Sequence, residues 1–147
     1  MKHRTHQKSI TYFLRSVGFA TRDMADKKLA SFGLSNAQGR LLGAIYRDTQ
    51  NGNSVSRKDL QEEMQISGPS ITSLLNGLEK KGWIIRTPGL KDGRLLDLKV
   101  TAKTEEFVGQ FEKVFNEIQA RLEKGLSSAE KKTLIDLLQR LEKNIKG

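Results

Sequence analysis

The 147-residue chain contains no cysteine. Disulfides, thiolate metal sites and cysteine-based peroxide sensing are therefore excluded. Histidine is scarce as well: His3 and His6 are the only two. One helical turn could bring them together, but two isolated ligands make a weak metal site, and solvated surface imidazoles are the plainer reading. No metal and no cofactor is expected. No apolar run is long enough to span a membrane. The N-terminus carries no apolar signal-peptide run, so a cytoplasmic protein without a membrane partner is expected. The sequence also lacks a nucleophile elbow, a phosphate-binding glycine loop and a carboxylate pair in an apolar setting, so it does not read as an enzyme. Low-complexity tracts, internal repeats and long linkers are missing too.

Acidic residues are the scarcer charge, 17 against 26 basic ones, for a formal net charge of +9. The excess is uneven. Residues 1–34 hold seven basic and two acidic side chains, residues 35–101 ten and seven, and residues 102–147 nine and eight. A polyanion partner accounts for this distribution better than an anionic membrane does.

Residues 54–101 are the richest stretch. Ser56 is placed to cap a helix starting at Arg57 and running to about Met64, with Asp59 completing a capping-box pattern and Val55 and Leu60 forming a staple. Ser67 caps the next helix, and Pro69 falls in its first turn, where a missing N–H costs little. Ile71, Leu74, Leu75 and Leu78 repeat at i, i+3, i+4 and i+7, which predicts one buried stripe. Gly82 ends this helix in a left-handed conformation, with Trp83 packing back on Leu78. Residues 83–86 and 95–101 read as two strands joined by a charged loop. Helix, tight turn, longer helix and hairpin together make a winged helix-turn-helix.

The outward face of the second helix is polar: Ser70, Thr72, Ser73 and Asn76, with Lys80 and Lys81 at its end. Small polar side chains permit close approach to base edges and phosphates. Backbone N–H groups near Ser67, Gly68 and Ser70 suit a phosphate. In the loop, Arg94 is the candidate for a minor groove, and Asp92 could orient it; Arg86 and Lys91 flank the same region. A solvated helix face and an exposed hairpin tip with a weak ion pair are the bland alternatives.

The flanks look helical. Ile10, Phe13, Leu14, Val17, Ala20 and Met24 form a stripe in the first segment. Ser35 and Gln38 open a second helix with Leu41, Leu42, Ile45 and Tyr46 as its apolar positions. Residues 49–53 form a polar loop. Thr101 caps a long helix carrying Phe107, Phe111, Phe115, Ile118 and Leu122, interrupted by Gly125. Ser127 and Glu130 open a last helix with Leu134, Leu138, Leu141 and Ile145. One small winged domain cannot bury all of these stripes. The expectation is a single domain over residues 1–147, mostly α with a small β-hairpin wing. Its winged helix-turn-helix core occupies 35–101, and residues 1–34 and 102–147 supply dimerisation helices. A two-fold dimer would set its recognition helices roughly 34 Å apart, one DNA turn. The phenylalanines read as core or dimer packing, with an effector pocket as the alternative.

The stretch LLNGLEKKGWI at residues 74–84, followed by Asp92-Gly93-Arg94, Leu96, Leu98 and Thr101, resembles the MarR (multiple antibiotic resistance regulator) family of bacterial transcription factors. The resemblance extends over nearly the whole chain. It implies a homodimer on double-stranded DNA, often a repressor, often released by a small ligand. A small aromatic or amphipathic effector would sit where the dimer helices meet the winged core, with Phe13, Arg15 and Tyr46 as candidate contacts. A winged-helix module that binds RNA or another protein is the alternative from a different class.

Overall fold

Six α-helices and four short strands follow one another in a computed structural model, which describes residues 7–87 and 95–147. Helix α1 (Ile10–Leu29) ends in a 3-10 turn (Ala30–Phe32) and leads to α2 (Asn36–Gln50). Strand β1 (Val55–Ser56) precedes α3 (Arg57–Met64) and α4 (Gly68–Lys80). Then come β2 (Ile84–Arg86), β3 (Leu95–Leu96), β4 (Leu98–Val100), α5 (Ala102–Leu122) and α6 (Ser128–Lys146). This is the mostly helical winged architecture expected from the sequence. By its internal contacts the chain divides into two compact units, Met1–Phe115 and Asn116–Gly147, with the boundary inside α5.

Local chemistry sets the helix ends. Ser35 and Ser127 each form a complete capping box, with Gln38 and Glu130 respectively, which satisfies two end donors apiece. Ser56 accepts from the Asp59 N–H at 3.3 Å, so of that expected box the hydroxyl half forms. Gly82 is left-handed at φ 82°, and two backbone bonds close the end of α4: Gly82 N to Glu79 O and Trp83 N to Leu78 O, both 3.0 Å. That is the Schellman geometry expected there. Thr101 caps α5, accepting from the Thr104 N–H at 3.4 Å while its own hydroxyl donates to Gly82 O at 2.7 Å.

The core of the first unit sits among α2, α3, α4, β2 and the start of α5. Ile71, Leu75 and Leu78 are fully buried against Leu41, Leu42, Ile45 and Leu60, while Leu74 is partly buried. Trp83 and Phe111 are buried beside them with ring centroids 5.3 Å apart; Phe32 meets Phe111 edge-on at 5.0 Å. Phe111 is thus a core residue. Phe107 and Phe115 are half-buried against the same cluster.

The strands depart from expectation in two ways. Val55, expected to act as a staple before the helix, forms strand β1 with Ser56, pairing antiparallel with Leu96 and Leu95. The strand expected over 95–101 is also two strands. Its first half pairs with β1, and its second half pairs with β2, Ile84 opposite Val100 and Arg86 opposite Leu98. The chain changes partners at Asp97, whose carbonyl accepts from Thr87 N–H at 3.0 Å.

Helix α1 buries only Ala25 and Leu29; its forward stripe, Ile10, Phe13, Leu14 and Val17, lies exposed. In the second unit, α6 buries nothing, and Leu134, Ile135, Leu137 and Leu138 are bare.

Candidate nucleic-acid interface

Burying Ile71, Leu75 and Leu78 turns the opposite side of α4 outward. Ser70, Thr72, Ser73, Asn76 and Lys80 are all exposed, as their spacing predicts. At the helix start, Ser67 Oγ accepts from Ser70 N–H at 3.3 Å and lies 3.0 Å from Ser70 Oγ. Ile71 N–H goes to Ser67 O, and Pro69 has no N–H. Gly68 N–H is therefore the first-turn backbone donor left for an anion among the described residues, and the two serine hydroxyls stand beside it. The expected phosphate cradle is narrower in backbone donors than the sequence suggests.

Long side chains from neighbouring elements brace this face. Arg57, at the first position of α3, donates to Thr72 Oγ1 at 2.9 Å, and the Thr72 hydroxyl donates to Gly68 O at 3.2 Å. Arg86 reaches from β2 across α4. Its Nε donates to Glu79 Oε2 at 3.1 Å, and its guanidinium also donates to Asn76 Oδ1. Arg86, a candidate DNA contact from the sequence, is thus engaged with two side chains of α4. Nothing local in the sequence marks Arg57 and Glu79. Only the packing of α3 and β2 on α4 links them to Thr72 and Arg86, at separations no local pattern carries.

The two lysines at the end of α4 divide. Lys80 is exposed. Lys81, which the sequence sets beside Lys80 at the helix end, turns back to the start of α2 and donates to Gly33 O and, at 3.2 Å, to Gln38 Oε1. Lys103 replaces it at the helix end, donating to Lys81 O at 3.0 Å and lying 4.0 Å from the Trp83 ring centroid. Cations there complement the negative end of the helix dipole. Farther back, Arg47 at the end of α2 is held above its ordinary pKa by its hydrogen bond and ion pair with Glu63.

Lys91, Asp92 and Arg94 lie outside the described residues, as do His3 and His6. The candidate effector contacts are scattered. Phe13 and Arg15 are exposed on α1, and Tyr46 is half-buried on α2; no hydrogen bond or ring contact among the described residues joins the three. Among the described residues, open clefts lie elsewhere. One of about 410 Å³ is lined by Thr49, Asn53, Leu98 and Val100 among others. Another, of about 300 Å³, runs between Phe19, Arg22 and Asp26 on α1 and Ser35 and Asn36 at the start of α2. No helix among the described residues is long and apolar enough to cross a membrane.

Comparison with known proteins agrees with this geometry. The MarR family model matches residues 32–95. The structure of MepR from S. aureus in complex with DNA is similar at 28% identity and a TM-score of 0.82, covering 93% of this chain and 96% of that one. A protein from Listeria monocytogenes, solved with a 26mer DNA, shares the fold at 21% identity and a TM-score of 0.77, over 95% and 90% of the two chains. A protein from Clostridium acetobutylicum assigned to the MarR family of transcriptional regulators is 35% identical over 91% of this chain and 96% of its own, with a TM-score of 0.56. With its winged core, polar recognition helix and full-length likeness to these regulators, the chain belongs to the MarR family.

Proposed function

We propose that the protein is a homodimeric, sequence-specific DNA-binding repressor, acting on a pseudo-palindromic operator in the cytoplasm and modulated by a small aromatic or amphipathic ligand. The observation that carries this reading is the outward face of α4. It is polar along its length, it is fixed by a buried stripe on the other side, and it begins at a helix N-terminus. Such a face suits the major groove, with its first turn toward a phosphate. The similar MepR was solved in complex with DNA, which supports DNA as the partner.

In this reading Thr72, Ser73 and Asn76 meet base edges. Ser67, Gly68, Ser70 and Lys80 hold the backbone phosphates. Arg94, oriented by Asp92, enters the minor groove with Lys91 nearby. Two copies join through α1 and α6, whose bare apolar stripes need a partner. Ligand modulation rests on the family likeness, with Phe13, Arg15 and Tyr46 as its proposed contacts. The task is binding, with no catalytic step.

A gel-shift titration against the DNA upstream of its own gene, run as a salt series, tests the reading. The expected result is a two-protomer complex with that DNA, tighter than with scrambled DNA. Lys80→Ala should weaken both about equally and lower the salt slope by about one unit. Equal affinity for upstream and scrambled DNA at every salt concentration would overturn sequence-specific recognition.

A further inference from the structure

Asn76 is the amide best placed on α4 to read a base, and its two ends are not equivalent in this fold. The Arg86 guanidinium donates to Asn76 Oδ1. A guanidinium has donors only, so the oxygen is the end it must hold. Arg86 is itself fixed twice: its backbone pairs with Leu98 across the β2–β4 ladder, and its Nε donates to Glu79 Oε2 at 3.1 Å. Glu79 lies one helical turn beyond Asn76, so the acid, the guanidinium and the amide form one chain along the edge of the recognition helix. The amide oxygen is turned toward β2, and the NH2 end is left for the DNA.

We propose that Arg86 is a positioning residue that sets base preference by making Asn76 a donor. The proposal rests on the DNA-reading function above. A free asparagine pairs with adenine through both ends, its oxygen accepting from N6 and its nitrogen donating to N7. Holding the oxygen toward β2 turns it away from adenine N6, which removes that half of the pairing. The remaining NH2 matches two adjacent acceptors, and guanine presents these as O6 and N7. Asn76 of this protein therefore selects guanine in the major groove. Glu79 offsets the charge of Arg86, which leaves that arginine a poor phosphate ligand.

Selection from a randomised duplex library, followed by salt titrations on selected and random DNA, tests this. The full-length protein is expected to enrich guanine at one symmetric pair of positions. Asn76→Ala should abolish that preference there and at no other position. Arg86→Ala should shift it toward adenine by at least about fivefold, the lower end of what a bidentate base contact discriminates. The salt slope of Arg86→Ala should match that of the unaltered protein. Arg86→Lys, which keeps a donor for the amide oxygen, should retain guanine and guards against misreading a folding defect.

An unchanged preference in Arg86→Ala with a salt slope lower by about one would make Arg86 a phosphate contact and overturn the proposal. Adenine at the Asn76 position in the unaltered protein would also overturn it. If the unaltered protein enriched no sequence at all, the DNA-reading function itself would fall, and the outcome would differ visibly from both.

Discussion

Helices α4 and α6 have much in common and end in opposite circumstances. Each is opened by a serine whose hydroxyl accepts a first-turn N–H, and each carries leucines at helical spacing. In α4, Ile71, Leu75 and Leu78 of that stripe go fully into the core and Leu74 partly so. In α6 no residue is buried, and Leu138 remains 39% exposed. Amphipathic spacing announces that a helix needs a partner, and capping announces where it starts; neither says whose surface the partner is. Within one chain, α4 finds α2 and α3. The stripe of α6 has length and periodicity enough for a partner of its own, and in the proposed dimer a second copy would supply one by symmetry.

The largest expected effect attacks the uncovered side. Leu134→Glu together with Leu138→Glu should leave the helix content of the chain intact, since both positions are open within it. It should still abolish assembly, because uncompensated charges at a symmetric interface cost about 3–5 kcal/mol, a hundredfold or more in dissociation constant. Light scattering at micromolar concentration checks this. A dimer that survives the double substitution would place the interface elsewhere and dissolve the contrast.

The covered side should respond through stability. Leu75→Ala empties a fully buried position and should cost about 2–5 kcal/mol, read as a lower urea midpoint. Gly82→Ala comes next. No atom lies within 4 Å of the new methyl, so only the left-handed backbone at φ 82° is penalised, about 1–2 kcal/mol by the same assay. A neutral Gly82→Ala would mean that the end of α4 can adopt another closure.

The smallest effect concerns the start of α6. The Glu130 carboxyl is held below its ordinary pKa by the Ser127 backbone N–H and by the Ser127 hydroxyl. A depressed carboxylate stabilises the fold above its unfolded pKa, and that contribution is lost as pH falls through the folded value. The first turn of α6 should therefore loosen in the acid range, below the ordinary carboxylate pKa of 4.5, and be indifferent near neutrality. Amide exchange at residues 128–131 between pH 3 and 6, compared with Glu130→Gln, measures it; an unchanged pH profile in that variant would show that the box does not hold the turn.

What was legible in the sequence follows the same division. The capping boxes at Ser35 and Ser127, the Gly82–Trp83 ending and the buried stripe of α4 are all local, within about one or two helical turns, and each appears in the structure. Strand β1 was not legible, because two residues make a strand only by pairing with a segment forty positions later. Lys81 looked like its neighbour Lys80 until the carbonyl of Gly33 came within its reach. Arg86 reads from the sequence as a DNA contact, and its two side-chain partners are not visible there because they lie on a different element. Residue composition and helical spacing could therefore mark the exposed polar face of α4, while the side chains that brace it depend on three-dimensional packing.

Trp83 is the sole tryptophan in the chain. It is buried where α4 gives way to β2, with Phe107 and Phe111 against its ring and the ammonium of Lys103 above it. Its indole N–H has no hydrogen-bond acceptor among the described residues, and its carbonyl is held by the hydroxyl of Thr104 at 2.6 Å. Nature has thus left one fluorophore at the joint between the recognition helix, the strand that follows it and α5. A buried indole is expected to emit toward the blue, so any motion that lifts α5 away from α4 and brings in water should shift the emission of the whole protein toward the red.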